Sequence, residues 1–202
     1  MYIDNSLRSY LDNLSAKKPA PGGGSAAALS ASLGVSLMSM VANYTIGNPK
    51  YKESEKDAAD IMVKAQQFNA ELYDLIDKDA AVYEKLSSRM KELKNDRESL
   101  EHALREALYP PFEVCKISAE CLKLCRKLVD CGNRNLISDI AVAAVMLEAA
   151  FFAAKYNVYA NLKSIRDLKF IEDVHSVLAP LEDAMPKLKE DILESCEDVI
   201  SK

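Results

Sequence analysis

Histidine is scarce in this 202-residue chain, and two residues cannot supply a conventional metal centre. A di-iron helical bundle requires two Glu-x-x-His motifs and two further carboxylates, whereas the chain has one such motif, Glu172 with His175. The glycine-rich stretch PGGGS, residues 21–25, lacks the lysine of a P-loop and the spacing of a dinucleotide fingerprint. We therefore expect neither a metal nor a cofactor.

Dense basic clusters and an apolar leader are also missing. The net charge of −5 argues against nucleic acid as a partner. The amino-terminal stretch has an early acidic residue, Asp4, and no apolar run, so we expect no signal peptide and a cytoplasmic protein.

Strand signals are nearly absent, because the chain has no Asn-Gly or Asp-Gly turn and no sustained apolar–polar alternation. Helical periodicity is nearly continuous and predicts an all-α, single-domain bundle over residues 1–202 with long central helices. The predicted helices cover about 4–15, 25–45, 52–93, 96–132, 138–165 and 167 onward. The expected helix signals are Asp96 as an N-cap, Pro110–Pro111 as a kink or restart, Gly132 as a C-cap, Ser138 as an N-cap, and Pro180 and Pro186 as interruptions.

Two predicted helices are unusually apolar. Residues 25–44 carry no charge over the length of a membrane span, but their serines, glycine and asparagine argue against a membrane. One stripe of this helix is polar and consists of Ser25, Ser32, Ser36, Ser39 and Asn43. That stripe either packs against a neighbouring helix or lines a cavity. Residues 140–161 contain only Glu148 and Lys155 as charges, and so much apolar surface predicts a homodimer.

The five cysteines do not form a recognisable metal or disulfide pattern. Four of them, Cys115, Cys121, Cys125 and Cys131, lie within 17 residues at spacings unlike those of zinc sites. We interpret them as small buried apolar residues in a reducing compartment, with a metal site as the less favoured alternative.

Asp79 is the most informative residue of the third helix. Steps of four and three residues define a core stripe with one carboxylate in it: Leu72, Ile76, Asp79, Tyr83, Leu86, Met90 and Leu93. Asp77 falls on another face, with Glu84 and Lys91, and is expected to be solvated. A buried carboxylate is costly, so Asp79 is either a structural residue bonded to a neighbouring helix end or a general acid/base with a raised pKa.

Two loops flank the apolar helices. Three consecutive glycines, Gly22 to Gly24, indicate that backbone must approach something closely. The stretch CGNRNLISD, residues 131–139, has asparagines suited to left-handed turns and helix-opening residues at Ser138 and Asp139. Ordinary capping chemistry explains each residue of the second loop.

Five separated stretches carry a family resemblance: PAPGGGSAAAL, LIDKDAAVY, PPFEVC, CGNRNLISDIAVAA and FFAAKYNVYANL. In this order they resemble the cyclodeaminase domain of formiminotransferase-cyclodeaminase, over about residues 5–170. Residues 171–202 are expected to form a C-terminal helical tail. Because no formiminotransferase half is present, the chain resembles the stand-alone form. The resemblance implies an all-helical homodimer with a tetrahydrofolate site.

The family's usual reaction is the cyclisation of 5-formimidoyltetrahydrofolate to 5,10-methenyltetrahydrofolate with release of ammonia. Asp79 occupies the position of the family's catalytic aspartate, and Asp139 is the alternative or its partner. The alternatives are a methenyltetrahydrofolate cyclohydrolase on the same fold and a non-catalytic helical dimer that binds a folate or a protein. Lys17 and Lys50 are further candidates for the anionic glutamate tail. The substrate-binding candidates are Gly22, Gly23, Gly24, Ser25, Ser32, Ser36, Asn43, Tyr83, Asn133, Asn135, Ser138, Lys18 and Arg134.

Overall fold

The computed structural model describes residues 1–93 and 96–202, apart from the side chains of Lys91 and Leu93, so the end of the predicted Asp79 stripe lies outside the described residues. Six α-helices and two short 3₁₀ turns make up the described part, which contains no strand and confirms the all-α prediction. The helices are α1 (Leu7–Ser15), α2 (Gly23–Thr45), α3 (Glu55–Leu93), α4 (Arg97–Cys131), α5 (Ile137–Leu162) and α6 (Leu168–Ile200).

Helix α2 lies at the centre of the bundle and packs against α3, α4 and α5. Its side chains are small where it meets α5: a Cβ added to Gly34 would come within 3.0 Å of Leu147 Cγ and 3.2 Å of the Ala143 carbonyl oxygen. The two helices are antiparallel, since Gly23 lies beside Asn157 at one end and Thr45 bonds the loop before α5 at the other. The apolar sequence of α2 thus reflects burial in the core.

Helix α6 covers one side of α5 through two ion pairs. Lys155, buried on α5, bonds Glu182 of α6, and Lys189 of α6 lies 3.5 Å from Glu148. These pairs account for the only two charges in the apolar part of α5. The C-terminal tail therefore packs on the core.

Most helix ends lie close to their predicted positions. Asp96 caps α4, Asp167 caps α6, and the Gly132 N–H bonds the Leu128 carbonyl at the end of α4. The Ser138 prediction is wrong, because α5 already begins at Ile137, after a 3₁₀ turn at Arg134–Leu136. This helix also ends at Leu162, three residues earlier than predicted.

The prolines do not divide the helices, so the predicted restart at Pro110–Pro111 and the predicted interruptions at Pro180 and Pro186 are wrong. Helix α4 is continuous through Pro110 and Pro111, and α6 through Pro180 and Pro186. Each proline removes one helical N–H donor, at a cost of about 3 kcal/mol in a helix interior. Pro110 and Pro111 are buried, so apolar packing along the helix offsets that cost.

The expected left-handed asparagine turns are absent from residues 1–93 and 96–202, where only Gly47 has a positive φ. Asn133 has a φ of −64° because its side chain caps the 3₁₀ turn by accepting the Asn135 N–H. The loop is thus built by side-chain capping within ordinary backbone geometry.

All five cysteines are buried and free, as expected for small apolar residues. The Cys115 and Cys125 thiols donate to the carbonyls of Phe151 and Ile140 at 3.5 Å, at the contact of α4 with α5. Burial raises the pKa of the Cys115 thiol to about 12, so it is inert as a nucleophile at neutral pH.

Among the residues that the structure describes, two stretches are long and apolar enough to cross a membrane by length and composition. The fold buries 56% of the apolar 18-residue stretch within Gly23–Thr45 but only 39% of the corresponding stretch within Arg134–Leu162. Core helices of soluble proteins pass the same test when they are mostly covered. The lower figure shows that α5 leaves apolar surface exposed in a single subunit.

Candidate active site

Asp79 lies against the start of α2. Its Oδ2 atom accepts the backbone N–H of Ser25 at 2.8 Å. The first N–H groups of a helix have no partner within the helix, and the N-cap Gly22 has no side chain to supply one. Asp79, from α3, therefore supplies an acceptor at this helix end, which is the structural arrangement considered from the sequence.

Gly24 is a glycine because the Asp79 carboxylate rests on its backbone. A Cβ at this position would lie 2.1 Å from Asp79 Oδ1, far inside van der Waals contact. A Cβ on Gly23 would lie 3.1 Å from the Asn157 amide, whereas one on Gly22 would meet nothing within 4 Å. Within the chain, the close backbone approach of the glycine triplet is to Asp79 and Asn157.

Burial raises the pKa of Asp79 from 3.8 to about 6, and the Ser25 N–H opposes this increase. Burial disfavours the ionised form because the carboxylate loses hydration, whereas a donor to the carboxylate favours that form. No described residue donates a hydrogen bond to Oδ1. The carboxyl is thus held through Oδ2 alone among the described residues, and its pKa suits proton transfer near neutral pH.

Tyr10 of α1 is part of the same cluster, and sequence reasoning missed it because an aromatic residue in a short helix is its only signal. Its hydroxyl lies 3.1 Å from Ser25 Oγ, and both side chains are buried. The start of α2 is thereby tied to α3 through its backbone and to α1 through the Ser25 hydroxyl.

A groove between α2 and α3 is bordered by part of the polar stripe. Ser32 Oγ donates to Asn69 Oδ1 at 2.7 Å, and Asn69 Nδ2 donates to Ser36 Oγ at 2.9 Å. Ser32 is buried, whereas Ser36 and Asn43 border the groove, whose volume is about 460 Å³. The stripe therefore packs at Ser25 and Ser32 and lines a cavity at its other positions. The other residues that line the groove include Ser39, Met40, Tyr44, Gln66, Asn69 and Tyr73.

Asn133 forms a structural joint at the other end of α2. Its N–H bonds Thr45 Oγ1 at 2.9 Å, and its Nδ2 donates to the Tyr44 carbonyl at 3.1 Å. Its Oδ1 accepts the Tyr51 hydroxyl at 3.2 Å and the Asn135 N–H at 3.1 Å. Each polar group of this side chain is therefore occupied within the fold.

The two sequence motifs are far apart within one chain. Twenty residues of α2 separate Ser25 from Thr45, which corresponds to about 30 Å at the helical rise. The structure therefore does not bring Asn133 and its neighbours to Asp79. Exposed Arg134, Asn135 and Ser138 share the Asn133 end, as does partly buried Asp139 in the first turn of α5.

The remaining candidates are solvent-exposed. Tyr83 is 49% exposed on α3, and Lys17 and Lys50 are exposed at opposite ends of α2. The Lys18 ammonium, also exposed, donates to Asn13 Oδ1 at 2.7 Å. Surface solvation accounts for each of them in the isolated subunit.

Asp77 is not solvated as expected. Its Oδ1 accepts the backbone N–H of Tyr2, and its Oδ2 is buried without a partner in the described part of the chain. The N-terminal segment covers this face of α3, which periodicity along α3 alone cannot reveal. Within residues 1–93 and 96–202, no three His, Cys, Asp or Glu side chains are grouped to hold a metal ion.

Comparisons with known proteins place this geometry in a family. The family model described as formiminotransferase-cyclodeaminase matches residues 6–179. A methenyltetrahydrofolate cyclohydrolase of Methylorubrum extorquens is 31% identical over 98% of this chain and 99% of that protein. A formimidoyltransferase-cyclodeaminase of Mus musculus is 32% identical over 89% of this chain, which spans only 34% of the mouse protein.

A solved structure supports the same family assignment. The crystal structure of a formiminotetrahydrofolate cyclodeaminase from Thermotoga maritima superposes with a TM-score of 0.91, at 30% identity, over 97% of this chain and 98% of that one. The agreement covers all six helices rather than a local motif. The chain therefore belongs to the formiminotransferase-cyclodeaminase family.

Proposed function

We propose that this protein is an enzyme that cyclises 5-formimidoyltetrahydrofolate to 5,10-methenyltetrahydrofolate and releases ammonia. The observation that carries the proposal is Asp79: a carboxyl with a pKa of about 6, held by Ser25 through Oδ2 and without a hydrogen-bond donor to Oδ1 among the described residues. Family membership and the Thermotoga maritima cyclodeaminase support the same reaction.

The reaction needs one proton to move in each direction. The N10 nitrogen of the folate attacks the carbon of the protonated formimidoyl group, whose nitrogen carries two hydrogens, forms the new C–N bond and gives up its proton. The bond to the amino nitrogen then breaks, and ammonia departs after receiving a proton. A single carboxyl with a pKa near 6 can donate to the departing nitrogen and accept from the attacking one.

The groove between α2 and α3 offers room for the rest of the folate. Ten residues of α3 separate Asn69 from Asp79, or about 15 Å along the helix. We assign the reacting carbon to the Asp79 end and a distal part of the substrate to the groove near Asn69 and Tyr73. Holding the substrate at both places limits its motion and brings N10 to the formimidoyl carbon.

The second candidate reaction is hydrolysis of 5,10-methenyltetrahydrofolate. The observation that favours it is the Methylorubrum extorquens cyclohydrolase, which aligns with this chain over nearly its whole length. In that reaction the ionised Asp79 would accept a proton from the attacking water. The same pocket serves both reactions, and the substrate decides between them.

A direct assay separates the two. Purified protein is incubated with each folate while methenyl absorbance and ammonia are followed. Appearance of methenyl absorbance with equal ammonia from the formimidoyl substrate supports cyclodeamination. Loss of methenyl absorbance above the spontaneous rate, without ammonia, supports hydrolysis. If neither substrate reacts faster than with the Asp79→Asn variant, both proposals are wrong.

We also propose that the protein acts as a homodimer through α2 and α5. Each helix has an outward apolar stripe, with Leu33 48% and Val145 45% exposed. Helices α2 and α5 are antiparallel, so on each helix the residue that precedes a residue of the α2–α5 contact points to the same side of the helix pair. The two stripes therefore lie side by side and form one apolar face. The stripe on α5 consists of Val142, Val145, Ala149 and Tyr156. The stripe on α2 consists of Leu33, Leu37, Met40 and Tyr44.

A two-fold pair also suggests a role for the distant motif. If the two α2 helices run antiparallel, the Asn133 end of one copy lies beside the Asp79 end of the other. Arg134 and Lys50 could then border the same site and bind the anionic glutamate tail. Light scattering should give a dimer at micromolar concentration, and Val145→Asp should weaken it. Val63→Asp is the control because Val63 is 54% exposed on α3, outside this face. A well-folded wild-type monomer would contradict the proposal.

A further inference from the structure

A buried pair of hydroxyl groups lies behind Asp79. The Tyr10 hydroxyl is 3.1 Å from Ser25 Oγ, with Tyr10 4% and Ser25 0% exposed. Ser25 is also the residue whose N–H bonds Asp79 Oδ2. One residue therefore receives a contact from α1 through its side chain and makes a contact to α3 through its backbone.

We propose that Tyr10 is a positioning residue, which holds Ser25 so that the Ser25 N–H stays on Asp79 Oδ2. The inference rests on the proposed role of Asp79 as the acid. Among the described residues the Tyr10 hydroxyl forms its hydrogen bond with Ser25 and none with Asp79, so the proposed positioning runs through Ser25.

The start of α2 needs such a tether because its own sequence cannot supply one. Gly22, Gly23 and Gly24 have no side chains, and the N-cap makes no side-chain hydrogen bond. Glycine backbone is also the most flexible, so this first turn would fray without an external contact. The Ser25 hydroxyl is the first side-chain polar group of the helix, and Tyr10 bonds it.

Helix α1 is itself anchored on both sides of the site. The Tyr2 ring packs edge-on against Tyr10, with ring centroids 6.1 Å apart. The Tyr2 N–H bonds Asp77 on α3, and the Tyr2 hydroxyl donates to the Ala20 carbonyl at 3.3 Å. The N-terminal segment thus fixes Tyr10 relative to both α3 and the glycine loop.

The pKa of Asp79 reports whether the Ser25 N–H stays bonded to its carboxylate. The causes of its raised pKa are burial and, in the opposite direction, the Ser25 N–H, with no neighbouring charge among them. Tyr10 from α1 is titratable, whereas Asn157 from α5 is uncharged, and Asp77, Lys78 and Tyr83 lie on α3 itself. Burial, and after it the charge of Asp79, raises the pKa of Tyr10, so this phenol stays neutral where Asp79 titrates.

The test is a carbon-13 NMR titration of the Asp79 carboxyl in the free protein, assigned with Asp79→Asn. In Tyr10→Phe, the Ser25 N–H bond weakens and the pKa of Asp79 should rise by roughly 0.5–1 pH unit. The limb of the turnover profile that reports the ionisation of Asp79 should move by the same amount. Ser25→Ala should give a similar rise, and adding Tyr10→Phe to it should produce no further change. Tyr109→Phe is the control, since Tyr109 is 47% exposed and its hydroxyl makes no hydrogen bond among the described residues.

The outcomes separate this inference from the proposed function. A lower melting temperature with an unchanged Asp79 titration would show that Tyr10 only packs, and independent additive shifts would show that it does not act through Ser25. Either result overturns the inference. If Tyr10→Phe does not fold, an unshifted Asp79 in Ser25→Ala overturns it equally. A shifted Asp79 in a protein without folate turnover supports the inference while the proposed function fails.

Discussion

Asp79→Asn tests the proposed acid through both stability and turnover. The folded protein raises the pKa of this carboxyl from 3.8 to about 6. One pH unit corresponds to about 1.4 kcal/mol, so ionised Asp79 destabilises the fold by about 3 kcal/mol at neutral pH. Asparagine has nearly the same shape and no charge, and its side-chain oxygen can still accept the Ser25 N–H. The asparagine amide adds a partly buried N–H donor that needs a partner, at a cost of about 1 kcal/mol, which leaves a net gain of about 2 kcal/mol.

The pH dependence gives this prediction its sign. Between pH 3.8 and 6 the unfolded chain ionises Asp79 before the folded protein does, so wild-type stability falls as the pH rises and levels off above about 6. The asparagine variant lacks this decrease. Its advantage should therefore grow by about 1.4 kcal/mol between pH 5 and pH 7.5. At pH 7.5 its melting temperature should be about 4–8 °C higher than that of the wild type.

Chemical denaturation at both pH values and turnover at pH 7.5 are the measurements. Turnover of Asp79→Asn should fall by about a hundredfold or more, the scale of lost general acid catalysis. Asp74→Asn is the control, because Asp74 is exposed on the same helix and makes no hydrogen bond among the described residues. A pH-independent loss of stability with normal turnover would refute the reasoning, since Asp79 would then be only a helix-end acceptor.

Three further predictions concern the glycine triplet, the cysteine thiols and the effect of metal removal. Gly24→Ala should lower turnover at least tenfold with unchanged helical circular dichroism, because the added Cβ would lie 2.1 Å from Asp79 Oδ1 and push the carboxylate away. Gly22→Ala is the control and should lose far less turnover, since no atom lies within 4 Å of its added Cβ. Equal losses would show that the close approach to Asp79 is unimportant. All five thiols should resist a thiol reagent in the native protein and react only after unfolding, because they are buried and free; rapid native labelling would contradict this. Chelation should leave turnover unchanged, and a loss that one metal restores would show that ligands were missed.

Local signals in the sequence were reliable where a residue acts on its own segment. Asp96 and Asp167 cap helices because their side chains accept N–H groups three residues ahead, and Gly132 ends α4. Four-and-three spacing identified Asp79 as a carboxylate in an apolar stripe. The same local rules did not anticipate that α4 continues as one helix through Pro110 and Pro111, where tertiary packing outweighs the lost helical bond.

The partners of these residues were decided only in three dimensions. Ser25 bonds Asp79 across 54 positions, Asn69 joins two serines of α2 from more than 30 positions away, and Tyr51 bonds Asn133 across 82. Tyr10, which precedes α2 in the sequence, and Asn157, which follows it, both contact the start of α2. Their sequence neighbours give no sign of these contacts.

The sequence by itself determined that the chain is helical, which faces are apolar and where a carboxylate interrupts them, because these properties repeat with the period of a single helix. It did not determine which helix covers which face, since that depends on packing summed over distant segments. The structure decided that Asp79 meets the unpaired start of α2. It also decided that Asn133 lies about 30 Å away, because α2 is one straight connection between the two ends.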